Sequence, residues 1–461
     1  MMTTTDTSLD DAISQWLEQV APTRVPDRVL DATFERTRGR RQDVGWLPRL
    51  FPPRALRAGL ALSGIVAVVL AIAVATTVPL VGPVAGLPTS PDAWTRVMIE
   101  TPSGAGAVVA LAAAPGRLLA VVGDDAGVRL ITSSDGREWT LVPADRHPEL
   151  STPRGFGYPT VVGTDRGFLL LQLNEIWMSK NGDDWHRLAG ETTDPDLRPG
   201  GPDFATAGGP GMVAVGGDKA WFSVDGSDWS TAAVPALPAE ILARPDAERY
   251  VAMTGVTAGE DGLIAWGVAS VPRADDPAES VAVPLLWASG DGRTWTDVVD
   301  PAMDAVTAVT GGPGGIVAAG QAGRDSALWF SAEGRAWQRI VGDVIDSRWP
   351  KGPDGTRIND DPGDVPVEMA LVAATAGRDG YVVVGGDGLC VGEGFCGSDE
   401  AVILTSADGR SWARVQSDER FAGGSATHAV AWGSRFVVGG TIEDRPAIWI
   451  SGLAGAPEGA P

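Results

Sequence analysis

Two textures of hydrophobicity divide this chain. Ala58 to Val78 is an unbroken stretch of Ala, Val, Leu, Ile and small polar residues, and no charged residue occurs from Ala58 to Pro91. Its twenty-one residues match the roughly 20 needed to cross about 30 Å of hydrocarbon. Seven arginines (Arg36, Arg38, Arg40, Arg41, Arg49, Arg54 and Arg57) crowd the approach to it, whereas the next basic residue beyond it is Arg96. The positive-inside rule then makes residues 1–57 a cytoplasmic head, 58–80 a transmembrane helix of the plasma membrane and 81–91 an extracytoplasmic linker. A cleaved signal peptide fits less well, because the segment before the apolar run far exceeds the basic lead of such peptides. Within the head, Ser8 can cap a helix with Leu9, Ile13, Trp16, Leu17 and Val20 on one face. Pro26 and Asp27 can open a second helix with Leu30 and Phe34. So few apolar residues do not close a core, which leaves the head either marginal or completed by a cytoplasmic partner.

After residue 91 the pattern changes to short alternating segments behind Gly-led turns, and it repeats. Ser133-Ser-Asp-Gly-Arg-Glu-Trp139 returns as Ser179-Lys-Asn-Gly-Asp-Asp-Trp185, Ser223-Val-Asp-Gly-Ser-Asp-Trp229 and Ser289-Gly-Asp-Gly-Arg-Thr-Trp295. Two further copies are Ser331-Ala-Glu-Gly-Arg-Ala-Trp337 and Ser406-Ala-Asp-Gly-Arg-Ser-Trp412. Two residues before each Ser stands a large apolar residue: Ile131, Trp177, Trp221, Trp287, Trp329 or Leu404. Asp-Gly or Asn-Gly between alternating segments is a two-residue hairpin signal in which both central residues take positive φ. The Ser and Asp oxygens can hold turn amides, and the Trp covers the turn with apolar area. Each unit therefore reads as four antiparallel strands, with this hairpin joining the third to the fourth, which is a propeller blade.

The two ends of the repeat region complement each other. Trp94-Thr-Arg-Val97 reads as a fourth strand with no hairpin before it, and Ala447-Ile-Trp449-Ile-Ser451 as a third strand with none after it. Pairing them closes a ring without an open edge. The expected fold is all-β: a seven-bladed β-propeller of four-stranded blades over 92–452, closed by pairing of the N-terminal strand with the C-terminal blade. Residues 453–461 form a disordered tail. Twelve of the seventeen Trp occupy the two repeat positions and are assigned to core packing.

The repeat resembles the Asp-box (BNR) repeats of sialidase-like propellers, whose motif is Ser-x-Asp-x-Gly-x-Thr-Trp; the copies here are one residue shorter. The resemblance implies boxes on third-to-fourth-strand hairpins, away from any catalytic centre. The layout of the N-terminal part resembles membrane-anchored anti-sigma factors, although residues 1–57 contain neither the His nor the Cys of that family's zinc motif.

Composition and charge then exclude several functions. A net charge of −23 opposes nucleic acid as a partner. Two cysteines and three scattered histidines supply neither a disulfide scaffold nor a zinc centre, so no metal and no cofactor is expected. Abundant Arg with Lys only at Lys180, Lys219 and Lys351 suggests a high-GC bacterial genome.

The long insertions fall in fourth-to-first connections (141–158, 186–203, 231–251, 341–367) and second-to-third connections (271–283, 387–400). In a propeller these share one face, and loops on a rigid scaffold are where binding residues gather; insertion drift is the bland alternative. Candidate binding residues on this rim are Arg154, Tyr158, Glu248, Tyr250, Arg348, Trp349, Arg357, Asp360 and Asp361. Trp349 stands outside the repeat positions amid charges of both signs, a composition of recognition surfaces, or else packs the insertion onto the blade. Asn359 to Asp364 lacks the spacing of a calcium loop and reads as solvated acid. Cys390 and Cys396, in one connection, form a local disulfide in an oxidising compartment or, less simply with no His close in sequence, a reactive pair or a metal site.

No catalytic residue is assigned. Glycoside hydrolysis needs a placed carboxylate pair, or a Tyr with a Glu in sialidases, and only Glu248-Arg-Tyr250 offers such a grouping. No nucleophile elbow accompanies the histidines. The expected function is a membrane-anchored, non-catalytic extracytoplasmic module for a ligand or protein, with a route to signalling through its head. The alternative is a surface glycosidase of sialidase type.

Overall fold

The computed structural model describes residues 87–452 except 126, 151–158, 173–174, 189–203, 209–210, 227, 236, 238–249, 260–261, 273–279, 301, 323–324, 343, 346–363 and 392–394. The expected head, membrane span and tail lie outside the described residues, and so does all but the end of the linker. Among the described residues no helix is long and apolar enough to cross a membrane. Contacts divide the chain between Val81 and Gly82, and every described residue belongs to the second unit.

That unit is a ring of seven four-stranded antiparallel sheets. A 3-10 turn at Pro91–Ala93 leads into β1 (Trp94–Met98), which is reserved for the last blade. Blade 1 holds β2 (Ala107–Ala114), β3 (Arg117–Asp124), β4 (Gly127–Ser133) and β5 (Thr140–Leu141). Blade 2 holds β6 (Thr160–Thr164), β7 (Gly167–Gln172), β8 (Glu175–Ser179) and β9 (His186–Arg187). Blade 3 holds β10 (Phe204–Gly208), β11 (Gly211–Gly216), β12 (Lys219–Ser223) and β13 (Ser230–Thr231). Blade 4 holds β14 (Tyr250–Gly259), β15 (Gly262–Pro272), β16 (Ser280–Ser289) and β17 (Thr296–Asp297). Blade 5 holds β18 (Ala305–Gly312), β19 (Gly315–Ala322), β20 (Asp325–Ser331) and β21 (Gln338–Ile340). Blade 6 holds β22 (Asp364–Gly377), β23 (Gly380–Val391), β24 (Phe395–Ser406) and β25 (Ala413–Arg414). Blade 7 holds β26 (Gly424–Trp432), β27 (Arg435–Ile442) and β28 (Arg445–Ser451), and β1 supplies its outer strand.

Closure follows the expected register: Trp94 lies opposite Ser451, Arg96 opposite Trp449 and Met98 opposite Ala447. Backbone bonds from Gly452 to Ala93 (2.9 Å) and from Ile99 to Pro446 (3.0 Å) extend the seam at both ends. Trp94 is buried, and its indole N–H donates to the Pro88 carbonyl at 2.9 Å. The core runs around the ring between blades, as where Phe222 of one blade packs with Met253, Trp287 and Trp295 of the next. Small residues let the innermost strands touch. A Cβ at Gly163 would stand 1.7 Å from the Ala113 carbonyl oxygen, and one at Gly311 would stand 2.4 Å from the Gly259 Cα. Bulged threonines clamp the same layer: Thr307 donates to the Leu371 carbonyl (2.6 Å) and Thr427 to that of Val108 (3.4 Å), each in the next blade.

Two expectations are corrected and a third is refined. The repeated turn is not a two-residue hairpin with two positive φ angles. Gly136 and its five counterparts have φ between 72° and 86°, but the preceding acidic or Asn residue does not share that region. Its side chain, rather than its φ, organises a six-residue turn. The true two-residue turn is Glu443–Asp444, with φ of 48° and 60°. Secondly, strand runs far into both second-to-third connections: 387–400 is mostly strand, with β23–β24 paired out to Val391 opposite Phe395, and in 271–283 β15–β16 pair out to Pro272 opposite Ser280. Thirdly, the repeat Trp are not equally buried: Trp139, Trp177, Trp185, Trp229, Trp337 and Trp412 are half-buried, each packed against a core cluster, whereas Trp94, Trp221, Trp287, Trp295, Trp329 and Trp449 are buried.

Candidate functional site

In four-stranded antiparallel blades, the first-to-second and third-to-fourth turns share one end and the remaining connections the other. The six boxes therefore stand on one face and the long connections on the opposite rim. Arg154, Tyr158, Glu248, Arg348, Trp349, Arg357, Asp360 and Asp361 lie outside the described residues. So does the side chain of Tyr250, whose backbone opens β14 opposite Ser270. Cys390 and Cys396 have described backbones, directly opposite each other in the β23–β24 register. Such opposed residues have Cα atoms about 4.5–5.5 Å apart, inside the range a disulfide accepts.

The Asp boxes themselves are wired as turns. In blade 1 the Ser133 hydroxyl receives the Gly136 amide (2.8 Å), and the Asp135 carboxylate receives the amides of Arg137 (2.8 Å) and Glu138 (2.9 Å). Those amides hold the Asp135 carboxyl below its ordinary pKa, and the amides of Thr294 and Arg293 do the same for Asp291. At Asp408 burial pushes upward, but the amides of Ser411 and Arg410 outweigh it and the net shift is down. Acceptors consumed in this way are structural and leave no reactive carboxylate.

Among the described residues no group of His, Cys, Asp and Glu could hold a metal ion. His428, on the innermost strand of blade 7, is desolvated against blade 1 and its pKa is pushed down to about 4, with Thr427 Oγ1 2.9 Å from Nδ1. In blade 6, Arg414 reaches Asp387 (3.0 Å) and Glu400 (3.4 Å) below the extended β23–β24 hairpin. Arg414 and Asp387 are both buried, so this group reads as an anchor for that hairpin.

A cavity of about 760 Å³ is on the box face. First-to-second-strand turns of blades 7, 1, 2 and 3 form it, with Trp432, Arg435, Thr164 and Asp165 around Ala113 and Gly163. Trp432 and Arg435 flank the Gly433–Ser434 turn as register partners, and Gly433 takes φ 62°. The guanidinium carbon stands 5.9 Å from the indole centroid. A second hollow of about 500 Å³ lies at the closure seam, lined by Met98, Ile99, Arg129, Trp139 and Leu141. The axial residues escaped sequence reasoning because four separate blades contribute them. One signal was present: Trp432, like Trp349, is outside the repeat positions.

No protein-family model matches the sequence, and no curated protein matches it. Solved structures do. YCF48 bound to D1 peptide is similar at 10% identity and TM-score 0.48, over 78% of this chain and 96% of that one. Virginiamycin B lyase from Staphylococcus aureus is similar at 12% identity and TM-score 0.43, over 78% and 98% of the two chains. An ancestral GH74 enzyme is similar at 10% identity and TM-score 0.48, over 78% and 49%. The likeness is one of architecture and goes no further.

Proposed function

We propose that this protein is a non-catalytic binding propeller, held at the outer face of the plasma membrane by residues 58–80, and that its loop-bearing rim takes a ligand or protein partner. One observation supports the reading above others: the lengths of the connections. On the box face the first-to-second-strand turns have two residues and the boxes six, whereas rim connections such as 188–203, 232–249 and 341–363 are far longer. Chain length invested at one end of a rigid ring is the pattern of a recognition surface. The direction of β1 is compatible with the tether, since Trp94 opens β1 at the box end of blade 7, opposite Ser451. The candidates Arg348, Trp349, Arg357, Asp360 and Asp361 belong to this rim, and the head relays occupancy to a cytoplasmic partner. Cys390 and Cys396 form a disulfide at the tip of the blade 6 hairpin, consistent with an oxidising compartment.

Topology and binding are tested separately. A cysteine at Ala274 reacts with a membrane-impermeant maleimide in intact cells, and one at Thr4 reacts only after lysis; the reverse would overturn the orientation. Replacing 346–362 by a short Gly-Ser link leaves the urea midpoint of the chain nearly unchanged and abolishes recovery of the protein cross-linked to it in intact cells. Unaltered recovery would place the site elsewhere. The sialidase-type alternative predicts hydrolysis of a fluorogenic sialoside that is lost in Tyr250→Phe.

A further inference from the structure

The axial cavity on the box face has no part in the rim reading, and its walls carry a charge pattern of their own. Two ionisable side chains line it, Arg435 from blade 7 and Asp165 from blade 2. The Arg435 guanidinium makes no hydrogen bond or ion pair with any described residue, and its one ring contact is Trp432. Trp432 and Arg435 are half-buried, whereas Asp165 and Ser434 are exposed. The hollow exists because its floor is small: the contact of Gly163 with the Ala113 carbonyl leaves no room for a side chain between blades 1 and 2. Blades 4 and 5, by contrast, meet at the Gly259–Gly311 contact and do not line it.

Each wall selects part of a ligand. An unpaired guanidinium offers a fork of donors that fits a carboxylate. Across the cavity, Asp165 repels a purely anionic molecule and accepts hydrogen bonds from an ammonium group. The indole is a flat apolar wall with a negative face, suited to an aromatic or large aliphatic group. One cation and one anion leave the lining neutral, which matches a ligand of no net charge. The volume of about 760 Å³ is within the usual range for small-molecule sites. We propose that this cavity binds a zwitterionic amino acid with a large apolar side chain. Its carboxylate rests on Arg435, its ammonium faces Asp165 and its side chain lies against Trp432.

Calorimetric titration of the detergent-solubilised full chain with L-phenylalanine, N-acetyl-L-phenylalanine and L-phenylalaninamide tests this without any substitution. Phenylalanine binds saturably, and blocking either end weakens binding at least ten-fold. Arg435→Gln loses phenylalanine and the N-acetyl compound together. Asp165→Asn binds phenylalanine no more tightly than the wild type binds the N-acetyl form. Asp165 is exposed and Arg435 half-buried at the start of β27, and unchanged urea midpoints show that the variants are folded. Absence of saturable heat with phenylalanine, equal binding of the three compounds, or full binding by Arg435→Gln would each overturn the site. None of these results depends on whether the rim has a partner.

Discussion

Blades 5 and 6 carry the same turn in the same place and differ within it only by Glu333 for Asp408 and Ala336 for Ser411. In blade 6 the Ser406 hydroxyl accepts the Gly409 amide at 2.9 Å, and Asp408 accepts the amides of Arg410 (2.8 Å) and Ser411 (2.7 Å). The Trp412 indole then closes onto the Gly409 carbonyl at 3.0 Å. In blade 5 the acid is Glu333, and none of the equivalent bonds is present. The buried Ser331 hydroxyl has no hydrogen-bond partner, and the Trp337 indole donates instead to Val298 of the preceding blade at 3.0 Å. A Glu carboxylate overshoots the amides of its own turn, because the cap depends on a side chain short enough to fold back on the backbone two and three residues ahead. The Gly survives in both, Gly334 at φ 73° and Gly409 at 72°. Backbone shape and hydrogen-bond wiring are thus separable in this repeat.

Blade 7 removes the turn altogether and sharpens the contrast. Its outer strand arrives from the other end of the chain, so Trp94 and the strand register must do what a covalent hairpin does elsewhere. Trp94→Ala is therefore the most damaging of these substitutions, with a loss of about 3–5 kcal/mol typical of a buried Trp. Trp412→Ala, at a half-buried position held by its box, costs visibly less in the same urea titrations. Equal losses would show that closure is no more demanding than any other blade.

Asp408→Ala removes an acceptor shared by two amides and should cost about 1–3 kcal/mol. Glu333→Ala takes away no such bond and should stay within about 0.5 kcal/mol of the parent. Similar urea midpoints for the two variants would mean that the box hydrogen bonds are ornamental and that shape alone matters.

How much of this was legible in the sequence follows from how local each cause is. The blade count, the strand order and the Trp94–Ser451 seam depend on short motifs at regular spacing, so they could be read directly. The turn type could not, because Asp-Gly serves equally for a two-residue hairpin and for a turn held by the Asp side chain; the choice rests on a seven-residue context. Glu443–Asp444 lacks the glycine that announces such a turn, yet the β27–β28 register imposes it. The β23–β24 hairpin was hidden because glycines and acids at 385–400 mute its alternation. The axial cavity depends on Trp432 and Asp165 approaching from blades far apart in sequence, which no periodicity encodes.

Glu333→Asp converts the comparison into a repair. The shorter side chain can reach the amides of Arg335 and Ala336 and give Ser331 its missing partner, for a gain of about 0.5–1.5 kcal/mol. The expected signature is a higher urea midpoint together with a new acid-sensitive step. An unchanged midpoint would locate the fault in the Trp337–Val298 contact rather than in the acid.

The smallest effect concerns protons. Asp135, Asp291 and Asp408 all have folded-state pKa values below their ordinary 3.8. As pH falls, the unfolded chain takes up these protons first, so each box contributes stability that is present above about pH 4 and disappears as pH drops through the folded value. Blade 2 already contains the control, since Asn181 makes the same bonds to Asp183 and Asp184 amides at 3.0 Å each with nothing to titrate. Asp408→Asn should therefore cost little at pH 7, where the amide oxygen replaces the carboxylate as acceptor. Below pH 4 its stability should fall less steeply than that of the parent chain, by one box's share. Parallel pH profiles for parent and variant would mean that Asp408 binds its amides no better charged than neutral, and that its depressed pKa has no energetic consequence for the fold.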